Sequence, residues 1–215
     1  GIESFQTSAK VNSSYADSCR QWMAMCQAAQ GYLTLDVKDY PTAQKFFLAA
    51  AATATDRITA AVYGTYTVKN GVEFIVDYHY RQQRDLPAAI KTLQAACAVI
   101  TNDAGLSNNL GLFARDHGNQ LVRRGKASEA KPFFEVSHDA YRNSVRLEPN
   151  SLRQRNDLCV VLLYNVKRDV EYAKDTLIAC VAESGAALED PEGDEQAIQD
   201  LNETVGDCYE NLGYY

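Results

Sequence analysis

No stretch of the sequence stays apolar over the roughly 20 residues a helix needs to cross a bilayer, so membrane insertion is not expected. Positive charge is also in deficit: 21 Lys and Arg against 28 Asp and Glu leave a formal charge of −7. A surface of that sign repels phosphate backbones, which argues against nonspecific nucleic-acid binding. The six cysteines contain no C-x-x-C pair and do not have the ligand spacing of a zinc site or the density of a disulfide framework. Cys19 and Cys26 fall on one expected helix, about 10.5 Å apart along its axis at roughly 1.5 Å per residue, too far to bond. The cysteines therefore read as small buried hydrophobes. Missing too are a phosphate loop, a G-x-S-x-G elbow, an H-E-x-x-H pair and a dinucleotide fingerprint. The histidines His79, His117 and His138 stand apart. Only His79 and His117, at matching places on consecutive expected helices, would be placed for metal or acid–base work, and they read as packing or surface residues. No catalytic residue, metal or cofactor is expected.

What is present suits a folded core. With 46% hydrophobic and 23% charged residues the chain lies well inside the globular range, which sets disorder aside. The opening Gly1-Ile2-Glu3-Ser4-Phe5-Gln6 is no signal peptide. Gly1 in place of Met reads as an N-terminus that has been cut away or carries a tag remnant, so the lack of a signal peptide says little about compartment. A soluble protein is expected, with the cytoplasm favoured over a secreted or periplasmic location.

Periodicity points to helices throughout. Ser13 and Ser14 are expected to cap a helix within 8–35, on which Tyr15, Cys19, Trp22, Met23, Cys26, Ala29 and Leu33 recur at helical spacing. Pro41 suits the first turn of the next helix, followed by Ala43, Phe46, Phe47 and Ala50. The Ala/Thr-rich run 49–69 has middling helix propensity and contains Tyr63-Gly64-Thr65-Tyr66, which would also suit a strand. With periodic neighbours and no evident partner strand, it reads as helix. Asn70-Gly71 reads as a turn or cap, ahead of a face built from Val72, Ile75, Val76, His79 and Tyr80. A helix from Leu86 to Ile100 turns Ile90, Leu93, Ala96, Cys97 and Ile100 inward. Further helices are expected over 107–124, 128–147, 152–167, 170–188 and 196–212. Pro132 falls near the start of the second of these if Ser128 caps it. The acidic stretch 189–195 lacks the D-x-[DN]-x-[DN]-G spacing of a calcium loop and reads as a solvated linker. The sequons at Asn12 and Asn202 lie in or beside expected helices and carry no weight.

A local grammar recurs four times, in Lys38-Asp39-Tyr40-Pro41-Thr42-Ala43-Gln44-Lys45-Phe46-Phe47, Arg84-Asp85-Leu86-Pro87-Ala88-Ala89-Ile90-Lys91-Thr92-Leu93, Gly125-Lys126-Ala127-Ser128-Glu129-Ala130-Lys131-Pro132-Phe133-Phe134 and Arg168-Asp169-Val170-Glu171-Tyr172-Ala173-Lys174-Asp175-Thr176-Leu177. A turn leads to a small residue, and a large apolar residue follows four places on. The small residues Ala43, Ala89, Ala130 and Ala173 are 46, 41 and 43 residues apart, a period that signals a helical array. Since Pro132 has no counterpart in the other copies, the second helix of the third unit is expected to be the least regular.

These units resemble tetratricopeptide repeats. The matching residues are Gly31, Gly118 and Gly206 on the first helices, the bulky residue three places later, and the alanine and apolar residue of the second helices. Asp77 and Val161 stand where units two and four would carry the glycine, and the period exceeds the 34 residues usual in the family. The resemblance implies one all-α domain over 1–215, a right-handed superhelical solenoid of antiparallel helix pairs. The expected hairpins are 8–62, 63–104, 105–150 and 151–190, with a terminal helix over 195–213. That helix matches the first helix of a fifth repeat, so it is expected either to solvate the array or to mark a fragment of a longer protein.

In similar proteins the first helices line a concave groove that holds a partner peptide, at positions flanking the small glycine. Carried over, these are Tyr32 in the first unit, Phe74, Tyr78 and Arg81 in the second, Arg115 and Asn119 in the third, and Leu158, Leu162 and Asn165 in the fourth. Aromatic and Arg side chains are the usual anchors. Arg115 and Asn119, four apart on one face, would hold a peptide carboxylate or backbone. The family's clamp for chaperone tails needs Lys and Asn on three successive helices, and one Arg/Asn pair does not supply it. The resemblance thus implies a non-catalytic scaffold with a protein or peptide partner. The alternatives are a regulatory or substrate-presenting domain of a larger enzyme, or an α-helical hydrolase or carrier, which would need an enclosed pocket.

Overall fold

The computed structural model describes residues 2–11, 13–54, 61–63, 66–189 and 195–213. The Asn12 sequon, parts 55–60 and 64–65 of the Ala/Thr-rich run, the acidic stretch 190–194 and Tyr214-Tyr215 lie outside them. Apart from one short ribbon, these residues are almost wholly helical: α1 Ile2–Val11, a 3₁₀ turn Ser13–Tyr15, α2 Ala16–Asp36, α3 Tyr40–Thr53, β1 Ala61–Tyr63, β2 Tyr66–Thr67, α4 Val68–Asp77, α5 Leu86–Val99, α6 Ala104–Arg123, α7 Ala127–Leu147, α8 Leu152–Val160, α9 Val170–Glu189 and α10 Glu195–Gly213. Two helices run on as π turns, α4 into Tyr78–Gln82 and α8 into Val161–Val166. The chain divides into two compact units, Gly1–Leu106 and Ser107–Tyr215.

The recurring turns explain the recurring grammar. Lys38, Arg84 and Gly125 take left-handed φ of 61°, 52° and 76°, each five residues before Ala43, Ala89 and Ala130. In the fourth copy Lys167 and Asp169 share that role, with φ of 52° and 50°. Only one of these residues is a glycine, so the others hold a conformation L residues seldom adopt. Asp39 and Asp85 then cap the next helix, accepting the N–H of Thr42 at 3.2 Å and of Ala88 at 3.0 Å, with proline in the first turn. Ala43, Ala89, Ala130 and Ala173 are all fully buried.

Two kinds of closure alternate. The N–H of Asp39 donates to the Thr34 carbonyl, and that of Lys126 to the Leu121 carbonyl, both five residues back and both at 2.9 Å. After the π turns the span is six: Asp85 N–H to the His79 carbonyl at 2.8 Å, and Arg168 N–H to the Leu162 carbonyl at 3.3 Å. The extra residue of a π turn shifts the helical ladder by one place.

In the first unit neighbouring helices in the chain pack on one another, α1 on α2, α2 on α3, α3 on α4 and α4 on α5. Phe47 is the wedge. A Cβ on Gly31 would stand 2.7 Å from its ring, and one on Gly71 closer still, so both glycines exist to admit it. Several expectations change here. The first helix is not one segment within 8–35: α1 precedes it, and Phe5 stacks on Trp22 at 6.4 Å. The stripe of α2 is rotated, burying Cys19, Met23, Ala24, Ala28 and Gly31 while Tyr15, Trp22 and Leu33 stay exposed. Close helix approach selects the small side chains. The run 49–69 is not one helix, since α3 ends at Thr53 and β1 pairs antiparallel with β2, Ala61 opposite Thr67 and Tyr63 opposite Tyr66. The partner strand was the adjacent segment itself. Asn70-Gly71 lies inside α4, which Thr67 caps by accepting the Asn70 N–H at 3.1 Å.

In the second unit α7 packs on α8, α8 on α9, and α10 on both α8 and α9. Tyr141, Leu158, Cys159, Val161, Leu162, Ala173, Leu177, Cys180 and Cys208 form one core cluster. The Gly118–Phe134 contact repeats the Gly31–Phe47 wedge, and Gly111 makes the same room for Tyr141. Nothing lies within 4 Å of a Cβ built on Gly206, so that glycine marks no close approach. Pro132 falls at the sixth residue of α7, capped at Lys126 rather than Ser128, and the helix continues unbroken to Leu147. The irregular places are the π turns instead. So near the helix start, the partner that Pro132 denies is the carbonyl of exposed Ser128, which water can satisfy.

Candidate functional site

Most of the expected groove residues gather in two clefts, one in each unit. In the first, Tyr32 from α2 and Phe74 from α4 join Tyr78 from the π turn, along with Tyr40, Asp36, Asp77 and Gln82, around about 280 Å³. Tyr32 is fixed at both ends: its hydroxyl donates to the Thr67 carbonyl at 2.6 Å, and its ring meets Phe47 edge-on at 4.9 Å. Tyr40 and Tyr78 lie face to face, centroids 3.5 Å apart. Phe74 is 58% exposed. Arg81 does not line the cleft; it projects into solvent and pairs with Asp77 at 2.5 Å. His79 packs beside Tyr78 at 5.4 Å, and burial lowers its pKa against the opposing pull of Asp85.

The cleft of the second unit is larger and polar, about 590 Å³, and Arg115, Asn119 and Asn165 line it. Arg115 and Asn119 share a face of α6, and the π turn carries Asn165 to them. The Asn165 amide donates to Asn119 Oδ1 at 3.0 Å. The Oδ1 of Asn165 is buried and accepts no hydrogen bond among the described residues. Arg115 stands 3.6 Å from Asp157 and 3.7 Å from Asp116, with its guanidinium 5.8 Å above the Tyr141 ring. Burial raises the Asp157 pKa, while Arg115, Arg153 and a hydrogen bond from Asn108 pull it back. Burial also pushes the Tyr141 phenol far above its ordinary value.

Leu158 and Leu162 are core residues, 3% and 2% exposed, and border a different cavity of about 380 Å³ with His138, Arg142, Asp169 and Tyr172. An apolar run on a helix fits a core as well as a groove, and here the core takes it. His138 is itself buried, its Nδ1 meeting Arg168 at 2.7 Å and Asp139 at 2.9 Å. His117 meets Phe133 edge-on at 4.4 Å.

The second cleft also holds residues that were not among the expected groove positions. Asn156, Asp157 and Tyr164 come from α8 and its π turn; Asp207, Glu210 and Asn211 come from α10. The Asn211 amide donates to Asn156 Oδ1 at 2.9 Å, and its own Oδ1 accepts from the Tyr164 hydroxyl at 2.9 Å. Asn156 and Asp157 close the polar run 153–157 at the start of α8, and nothing in that run sets them apart as cleft residues. Among the described residues no group of three or more His, Cys, Asp or Glu is placed to hold a metal ion, and no helix is long and apolar enough to cross a membrane. Against known proteins, no family model matches the chain and no curated protein matches it.

Proposed function

We propose that this chain is a non-catalytic interaction scaffold whose helix pairs, similar to tetratricopeptide repeats and stacked as a right-handed solenoid, hold a segment of a partner protein against the clefts. The observation that carries the reading is the Asn119–Asn165 pair beside Arg115 in an open polar cleft. Amides are groups that hold a peptide backbone, and they stand here without a nucleophile–base arrangement among the described lining residues. The fully buried alanines at 43, 89, 130 and 173 and the glycine–phenylalanine wedges support the repeat architecture.

The test is a random displayed-peptide library panned on the whole chain, with enriched peptides measured by fluorescence anisotropy. Asn119→Ala with Asn165→Ala is expected to weaken binding about tenfold, the equivalent of about 1.4 kcal/mol, with unchanged circular dichroism. No saturable peptide binding, or equal binding by the double variant, would sink the scaffold reading.

A further inference from the structure

We propose that the cleft of the first unit takes a cationic side chain, the guanidinium of Arg or the ammonium of Lys, from the partner segment. The identity of the ligand as part of a polypeptide rests on the scaffold reading above; its charge rests on the cleft alone.

Four aromatic rings, Tyr32, Tyr40, Phe74 and Tyr78, meet at a cleft that also presents Asp36 and Asp77. Phe74 leaves 58% of its surface in water, although α4 has a buried face formed by Val68, Val72, Ile75 and Val76. An aromatic ring kept wet beside carboxylates has a specific use: its negative face attracts a cation while the carboxylate neutralises it. The rings are set in advance. The Tyr40–Tyr78 stack, 8° from parallel, forms one platform, and the Tyr32 hydroxyl is tied to the Thr67 carbonyl. Preorganised rings lose little freedom on binding.

Charge decides the sign of the occupant. Arg81 balances Asp77 at 2.5 Å from outside the cleft, and exposed Asp36 remains. An acidic side chain would meet carboxylate and π faces and be repelled by both. The space, about 280 Å³, lies at the lower end for a compact ligand and suits one long side chain. Lysine and arginine share the required chemistry and differ in shape, since a guanidinium also stacks flat on a ring.

The test titrates the whole chain with N-acetyl-arginine methylamide, N-acetyl-lysine methylamide and N-acetyl-glutamate methylamide, followed by amide and aromatic NMR shifts. Saturable shifts centred on α4 and the end of α2 are expected with the two cations and not with the glutamate derivative. The larger response of the two identifies the preferred head group. Phe74→Leu keeps much of the apolar area and removes the π face. It is expected to weaken the cation about threefold, as is Asp36→Asn, while Asp175→Asn, exposed on α9 and outside both clefts, leaves it unchanged. Both test positions are exposed, so the fold tolerates them, and circular dichroism checks this. Absence of saturable shifts, an equal response to the glutamate derivative, or unchanged affinity in both variants overturns the assignment. Cation binding without any enriched library peptide would remove the scaffold reading and leave this site standing. Peptides that bind without Arg or Lys and ignore Phe74→Leu would do the reverse.

Discussion

At the scale of single residues, three glycines that look alike in the sequence are different objects. Gly31 and Gly118 face the rings of Phe47 and Phe134, where an added Cβ would stand 2.7 Å and 2.5 Å from a ring carbon. Both rings are buried, so they cannot retreat without disturbing their neighbours. Gly118→Ala is therefore expected to destabilise the chain by about 1–3 kcal/mol through overpacking. A Cβ on Gly206 would meet nothing within 4 Å. Inside α10 the same change removes only the conformational freedom of glycine and is expected to stabilise by about 0.5–1 kcal/mol. Chemical denaturation of the two variants beside the parent checks the opposite signs. If Gly118→Ala unfolds at the parental midpoint, the wedge is not a close contact.

Among the elements, the alternation of turns was half legible in the sequence. Ala43, Ala89, Ala130 and Ala173 revealed the period because a tight helix contact admits only a small side chain. The π turns left no such mark: one extra residue in a helical ladder alters which face follows it without altering composition. Asn165 reached the cleft beside Asn119, while Arg81, in the other π turn, turned outward to Asp77. The helix group α8, α9 and α10 brings a second consequence. Cys159, Cys180 and Cys208 come from three elements into one core. Burial pushes the Cys159 thiol up to about 12. The hydrogen bond shared by Cys180 and Cys208 splits that pair, lowering Cys180 and raising Cys208. Burial also governs reagent access, so none of these three thiols, nor buried Cys19, is expected to label quickly with iodoacetamide at mildly alkaline pH. Cys26 and Cys97 are only partly covered and react first. Peptide mass spectrometry of a short labelling pulse reads this directly. Rapid modification of Cys159 would show that α8 and α9 do not close over it.

For the whole molecule, the sequence settled class better than chemistry. Helical periodicity and the repeated turns located most of the helices, and the i, i+4 pairs Phe74/Tyr78 and Arg115/Asn119 reached their clefts together. Polar residues such as Asn156 and Asn211 escaped notice because a polar residue on a helix ordinarily faces water; only the packing of α10 on α8 joins them. Their company is acidic. Among its described lining residues the second cleft sets Asp116, Asp157, Asp207 and Glu210 against Arg115 alone, and the chain as a whole carries −7. Both scales of charge thus oppose a nucleic-acid partner, and the opposition has a testable salt dependence. At about 0.01 M salt the screening length is roughly 30 Å, so a negative surface repels a phosphate backbone most effectively there. Fluorescently labelled duplex DNA titrated with the chain at that salt is expected to give no saturable anisotropy change, and raising the salt should reveal none. Binding that appears at low salt and weakens as salt is added would be the signature of counterion release from a local basic patch, and it would overturn the inference that the partner is protein rather than nucleic acid.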